Sequence, residues 1–256
     1  MRIIDTHVHF TSGYDNPDGP STEEAVLAAA DRFGIDTLVC MVMTPKPATP
    51  ELFRRANDRT IDLMERRGER IWGWAYVNPG YCREALAEIE RCRQYPNFVG
   101  IKLFDDYTLT NPVNFPVIER CIELGWGIVN NQQRVTSQVA NWPAHRTSSG
   151  HIAEVSRRYP EAKLIADHVG GGGDWEWCCK TLADAPGVHL EISGSVYDEG
   201  MMELALRTVG VNRLLFATDS SIASSVGKLQ ALGRLVSPAE LEQVASGNFL
   251  RLVGRA

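Results

Sequence analysis

The sequence predicts an α/β protein, a (β/α)8 TIM barrel formed by residues 1–256 as one domain. Three observations predict it. A chain of 256 residues has the length that single α/β barrels commonly use, about 250. Eight short runs rich in Val, Ile, Leu and aromatics alternate with longer helix-like segments. No low-complexity linker or shift of composition divides the chain. A doubly wound open sheet is the alternative. It usually needs fewer strands for this length, and its Gly-x-Gly-x-x-Gly turn is absent after the first run.

The predicted strands are Arg2 to His9, Asp36 to Met43, Arg70 to Val77, Phe98 to Phe104, Gly125 to Asn130, Lys163 to His168, Val188 to Ser193 and Arg213 to Thr218. Each is bounded by Gly, Pro or polar residues. The first helix runs from Ser21, a plausible N-cap, to near Gly34. Further helices are expected over Glu51 to Arg67, Arg83 to Gln94, Phe115 to Leu124, His151 to Tyr159, Trp175 to Ala185 and Gly200 to Val209, then from Gly227 and from Pro238. Asp174 is the expected N-cap before Trp175.

Composition narrows the function classes. Hydrophobic residues make up 44% and charged residues 23%, which are globular values. The formal net charge of -6 argues against a binder of nucleic acid or of anionic membranes. No run approaches the roughly 20 apolar residues that span a bilayer. The opening Met-Arg-Ile-Ile-Asp-Thr-His reaches polar residues at once, which argues against a signal peptide. Cys40, Cys82, Cys92, Cys121, Cys178 and Cys179 show no Cys-x-x-Cys spacing and read as reduced thiols of a cytoplasmic protein.

In a barrel the C-terminal ends of all strands converge on one mouth. His7 and His9 end the first strand, Lys102 lies near the end of the fourth, Asn130 ends the fifth, His168 ends the sixth, and Asp219 follows the eighth. Two residues apart on an extended strand, His7 and His9 point to one face, and two imidazoles there can bind one divalent cation. A carboxylate and a further His at other strand ends strengthen that reading.

Four stretches, Asp5-Thr-His-Val-His, Gly100-Ile-Lys-Leu, Ala166-Asp-His-Val-Gly-Gly and Leu215-Phe-Ala-Thr-Asp-Ser-Ser, resemble the amidohydrolase-related TIM-barrel metal hydrolases. The branch is similar to 2-pyrone-4,6-dicarboxylate lactonases and aminocarboxymuconate-semialdehyde-type decarboxylases. Gly247-Asn-Phe-Leu-Arg-Leu resembles the closing helix of the family. The resemblance implies that His7, His9 and Asp219 are metal ligands. It also implies that Asp219 is the general base toward water and that His168 polarises substrate or handles protons. The chain departs from the family at strand five, where Asn130, with Asn131 beside it, stands in place of a usual His ligand. Two His and one carboxylate still form an open site for zinc, and also fit manganese or iron. Some lactonase relatives work without metal.

Around this set, Lys102 reads as a cationic holder of substrate, ahead of a simple salt-bridge partner. The segment from Asn131 to Ser149 lacks periodicity and suits a binding loop. There Arg134, Trp142, His145 and Arg146 could contact substrate, and Tyr14 and Asp15 are weaker candidates. Gly170 to Gly173 reads as a tight turn. Trp72 and Trp74 are expected on opposite faces of strand three as core, with Trp74 also a wall of the substrate site. His151 belongs to a helix start and His189 to the early end of strand seven.

The leading expectation is a metal-dependent hydrolase of a small organic, anionic lactone, ester or amide, with one divalent ion, zinc first. The catalytic residues are Asp219, His168 and Lys102, and substrate is bound by Asn130, Arg134, His145 and Trp74. The alternatives are a non-oxidative decarboxylase on the same scaffold, a metal-independent lactonase, and a barrel without catalysis. The expected partner is a small molecule, with no nucleic acid and no membrane. The resemblance also admits a homodimer.

Overall fold

The computed structural model of the chain describes residues 1–10, 22–104, 106–132, 146–169 and 173–256. Strands β1 (Ile4–Phe10), β2 (Thr37–Val42), β3 (Ile71–Tyr76), β4 (Phe98–Leu103), β5 (Gly127–Asn130), β6 (Lys163–Ala166), β7 (Val188–Glu191) and β8 (Leu214–Leu215) lie side by side in chain order. Every neighbouring pair is parallel. Between and after them run α1 (Glu23–Arg32), α2 (Pro50–Arg67), α3 (Cys82–Cys92), α4 (Phe115–Leu124), α5 (Ser149–Arg158), α6 (Trp175–Ala183), α7 (Met201–Thr208), α8 (Ile222–Leu232), α9 (Pro238–Glu242) and α10 (Asn248–Leu252). This is the expected (β/α)8 barrel.

The seam between β8 and β1 is closed partly by side chains. Thr6 donates to the Phe216 carbonyl through its amide (3.1 Å) and its hydroxyl (2.9 Å). The Asp5 carboxylate accepts the Thr218 amide (2.9 Å) and hydroxyl (2.6 Å). β8 is much shorter than predicted because its backbone leaves the ladder. The Phe216 amide turns to the Val244 carbonyl, and that of Thr218 turns to Asp5.

Local signals placed most helix ends. Thr49 accepts from the Leu52 amide at the start of α2, where Pro50 is already in helical geometry. Gly125 ends α4 in the left-handed conformation at φ 65°. The Ser148–His151 capping box starts α5, so His151 is a cap and not a site residue. Thr22 accepts from the Ala25 amide ahead of α1, while the expected cap Ser21 lies outside the described residues. Asp174 stands at the N-cap position of α6 without the capping bond. α8 begins at Ile222 and not at Gly227, which sits inside the helix near Tyr197. None of the six cysteines forms a disulfide among the described residues, and Cys178 and Cys179 are buried on α6. Among the described residues no helix is long and apolar enough to cross a membrane.

Strand alternation divides the core. Leu38, Ile71, Ile128, Leu164, Leu190 and Leu214 face the helices, whereas Val39, Met41, Val99, Val129, Ile165 and Leu215 fill the barrel. Trp72 and Trp74 share this interior because residues two apart on a strand share a face, which corrects the expectation of opposite faces. Phe249 from α10 plugs the floor, with its ring 6.3 Å from Trp72 and 5.9 Å from Trp74.

The Trp74 indole lies against Gly100 and Gly127. A Cβ at Gly100 would collide with the Gly127 carbonyl and stand 2.6 Å from the Trp74 ring. Gly100→Ala is therefore expected to destabilise the barrel by about 1–3 kcal/mol or more in urea unfolding. Gly227→Ala, where the nearest atom is 4.0 Å away, should not.

Candidate functional site

Above the apolar floor the interior turns polar. A register shift in β1 between Asp5 and Val8 re-aims the strand end, and His7 and His9 both point into the mouth. Their Nε2 atoms are 2.9 Å apart. Asp219 Oδ1 lies 3.6 Å from the Nε2 of His7 and 3.2 Å from that of His9. Ligands about 2.0–2.2 Å from a first-row divalent ion stand roughly 3–3.5 Å from one another, so this trio fits such an ion. Its chemistry, two imidazoles and one carboxylate, suits zinc, manganese or iron.

Asp219 and His168 occupy sharp turns. Both have φ 49°, and Ser220 has φ 60°, a left-handed backbone uncommon for such residues and frequent at functional turns. The turn at Asp219 is held by its amide, which donates to the His7 carbonyl (2.7 Å). That at His168 is held by its amide on Ser193 Oγ (3.1 Å). His168 then presents Nδ1 to Asp219 Oδ2 (3.4 Å), while its Nε2 donates to Asn131 Oδ1 (3.2 Å). Asp219 thus faces the two strand-one imidazoles with one oxygen and His168 with the other.

Beneath this rim lies a buried charged layer. Lys102 and Asp167 form an ion pair with both side chains 0% exposed. Lys102 also donates to His7 Nε2 (3.0 Å). His7 Nδ1 meets Glu191 Oε1, which also accepts from Ser193 Oγ (2.9 Å). Asp167 Oδ1 accepts the Gln132 amide (2.7 Å). Lys228 reaches in from α8 to the carbonyls of Ser193 (2.9 Å) and Gly194 (2.6 Å). His7, Asp167, His168 and Glu191 form a second group of possible metal donors, in which Lys102 is ion-paired with Asp167, and the same amino group touches the first trio at His7 Nε2.

Burial and neighbouring charge set the protonation. Burial and then Lys102 hold the His7 imidazole well below its ordinary pKa, so it is neutral, and its Nε2 lone pair accepts from Lys102. Burial would raise Asp219, but its hydrogen bond with His9 and the nearby His7 and His168 outweigh that. Its carboxyl is held well below the usual range and is anionic. Glu191 is pushed up to about 8 by burial and then by Asp167. Burial lowers Lys228 to about 8 and, against the bonds from Thr218, raises Asp5 to about 8.

The structure brings together five residues singled out from sequence: His7, His9, Lys102, His168 and Asp219. Lys102 is not the open substrate holder expected, because β4 directs it inward at the level of His7 and Asp167 takes its charge. On β5, Val129 faces the interior and Ile128 the helices, so Asn131 is the residue turned to the mouth, not Asn130. Asn130 is buried with its Oδ1 unpartnered. Trp74 is fully buried below the site, its indole N–H on the Thr6 carbonyl (2.8 Å). Arg134, Trp142, His145, Tyr14, Asp15 and Gly170 to Gly172 lie outside the described residues, while Arg146 is half-buried ahead of α5. His189 lies low on β7, away from the mouth.

Sequence reasoning passed over Asp167, Glu191, Ser193 and Lys228. Asp167 was visible beside His168. Glu191 could have been found as the inward position at the C-terminal end of β7. Lys228 carried no signal, since nothing local distinguishes a helix lysine that points inward. The buried ion pair gives a test. Lys102→Met leaves Asp167 as an uncompensated buried carboxylate and should lose about 3–5 kcal/mol in urea unfolding. Adding Asp167→Asn should restore part of that loss.

The sequence profile of the amidohydrolase family matches residues 4–255. Comparison with curated proteins finds no significant match by sequence. Among solved structures the chain is similar to 2,6-dihydroxybenzoate decarboxylase from Rhizobium, with TM-score 0.78, 17% identity and 99% of each chain covered. It is also similar to a manganese-bound dihydroxybenzoic acid decarboxylase from Polaromonas, with TM-score 0.74, 17% identity and 99% and 97% covered. A third is 4-oxalomesaconate hydratase from Rhodopseudomonas palustris, with TM-score 0.71, 17% identity and 99% and 96% covered. At these identities the likeness is one of fold.

Proposed function

The chain belongs to the amidohydrolase family, and from that membership and the site geometry we propose that it is a divalent-metal-dependent hydrolase of a small organic lactone, ester or amide. The observation that carries the reading is the meeting of His7 Nε2, His9 Nε2 and Asp219 Oδ1 within 3.6 Å, with His168 on the other oxygen of Asp219. A bound divalent ion supplies Lewis-acid polarisation and a water of lowered pKa. The neutral His7 would bind an ion without first losing a proton, its Nε2 lone pair exchanging the Lys102 hydrogen bond for the ion. Asp219 would hold the ion with Oδ1, and its carboxylate is the group that would accept a proton from water in the mouth. His168 Nδ1, 3.4 Å from Asp219 Oδ2, is placed to take that proton on toward the leaving group. Asn131 fixes the orientation of the His168 ring through Nε2, and Ser193 Oγ accepts the His168 amide. Lys102 acts from below by holding Asp167 and His7 in place. Zinc and manganese both suit the donor set, and manganese is supported by the Polaromonas enzyme.

A second reading is non-oxidative decarboxylation, in which the proton passes to carbon and no water attacks. One feature favours it: structural neighbours are named as decarboxylases. The two readings separate by product. Over a panel of lactones, esters, amides and aromatic or muconate-type acids in H2 18O, hydrolysis places the heavy oxygen in the acid product. Decarboxylation releases carbon dioxide. Under either reading Asp219→Asn should lower kcat/KM by at least about 100-fold. A folded Asp219→Asn variant with wild-type turnover would sink both.

A further inference from the structure

Resting on the metal reading of His7, and deepening it, we infer that Glu191 is a positioning residue that selects the His7 tautomer with its lone pair on Nε2. Lys102 carries protons to give, is ion-paired with Asp167, and lies 3.0 Å from His7 Nε2, so that nitrogen is an acceptor. A neutral imidazole with an accepting Nε2 carries its proton on Nδ1, and Nδ1 meets Glu191 Oε1. Ser193 Oγ donates to the same oxygen at 2.9 Å, which marks Oε1 as the accepting atom whether Glu191 is ionised or carries its proton on Oε2.

The arrangement is fixed from both sides. Glu191 ends β7 fully buried, and Ser193, which aims it, also receives the His168 amide. Glu191 lies on the far side of the ring from the Nε2 atoms of His7 and His9, so it acts on the metal site through His7. A ligand imidazole whose other nitrogen donates to a carboxylate is held in one tautomer and one orientation, and removing that partner commonly weakens metal binding about 10–100-fold. Among the described residues the neighbouring His9 has no hydrogen-bond partner at its buried Nδ1, whereas His7 has Glu191.

The test uses the full-length 15N-labelled chain after chelation. Two-bond 1H–15N correlation of the imidazoles reports each tautomer, and manganese titration reports affinity. In wild type His7 should carry its proton on Nδ1. Glu191→Gln keeps an accepting Oε1 and should preserve both the tautomer and the affinity. Glu191→Leu should shift the His7 proton toward Nε2 and raise the manganese dissociation constant about 10–100-fold. A His7 proton on Nε2 in wild type overturns the inference, as does a Glu191→Leu variant with wild-type spectrum and affinity. Should Glu191→Leu not fold, the wild-type and Glu191→Gln spectra decide. Should wild type bind no manganese, the metal reading fails while the spectrum still decides the tautomer.

Discussion

A lysine and an aspartate paired entirely out of water organise the mouth of this barrel. Removing both charges from solvent is unfavourable unless their remaining hydrogen-bonding capacity is satisfied. Lys102 therefore also donates to His7, and Asp167 also accepts the amide of Gln132. These contacts tie β4 to β6, β1 and the end of β5. Through the other nitrogen of His7 they extend to Glu191 on β7, and through Ser193 to the turn at His168. The rim residues gain their precision from this layer, since a side chain held by buried partners has few alternative rotamers.

The fold beneath isolates that layer from the rest of the core. Trp72, Trp74 and Phe249 seal the lower interior, and glycines at 100 and 127 leave room for the Trp74 ring. The left-handed backbone at His168 and Asp219 then lifts two side chains back over the mouth. Such strain, about 1–2 kcal/mol per residue, is sustained by the His168 and Asp219 amides, which donate to Ser193 Oγ and the His7 carbonyl.

Much of this was legible in the sequence. Alternation put His7 and His9 on one face, and the order of strands carried His168 and Asp219 to the same end. The errors came from features that alternation alone does not fix. Strand five was read one residue out of phase, which put Asn130 where Asn131 belongs, because a four-residue strand gives too short a pattern to set its face. Lys102 was placed at an open mouth because its partner Asp167 is 65 residues away. Glu191 was hidden in a strand whose outward residues, Val188 and Leu190, supplied the visible hydrophobic signal. Lys228 projects from a helix into the end of β7 and is identified only by the carbonyls that it meets.

A single cation held by His7, His9 and Asp219 would complete the mouth. Elemental analysis of protein purified without chelator and without a metal-affinity tag tests it most directly. The account predicts about one divalent ion per chain, lost in folded His7→Ala and Asp219→Asn variants. A folded wild-type chain that carries no such ion and takes none up from excess zinc or manganese would contradict it.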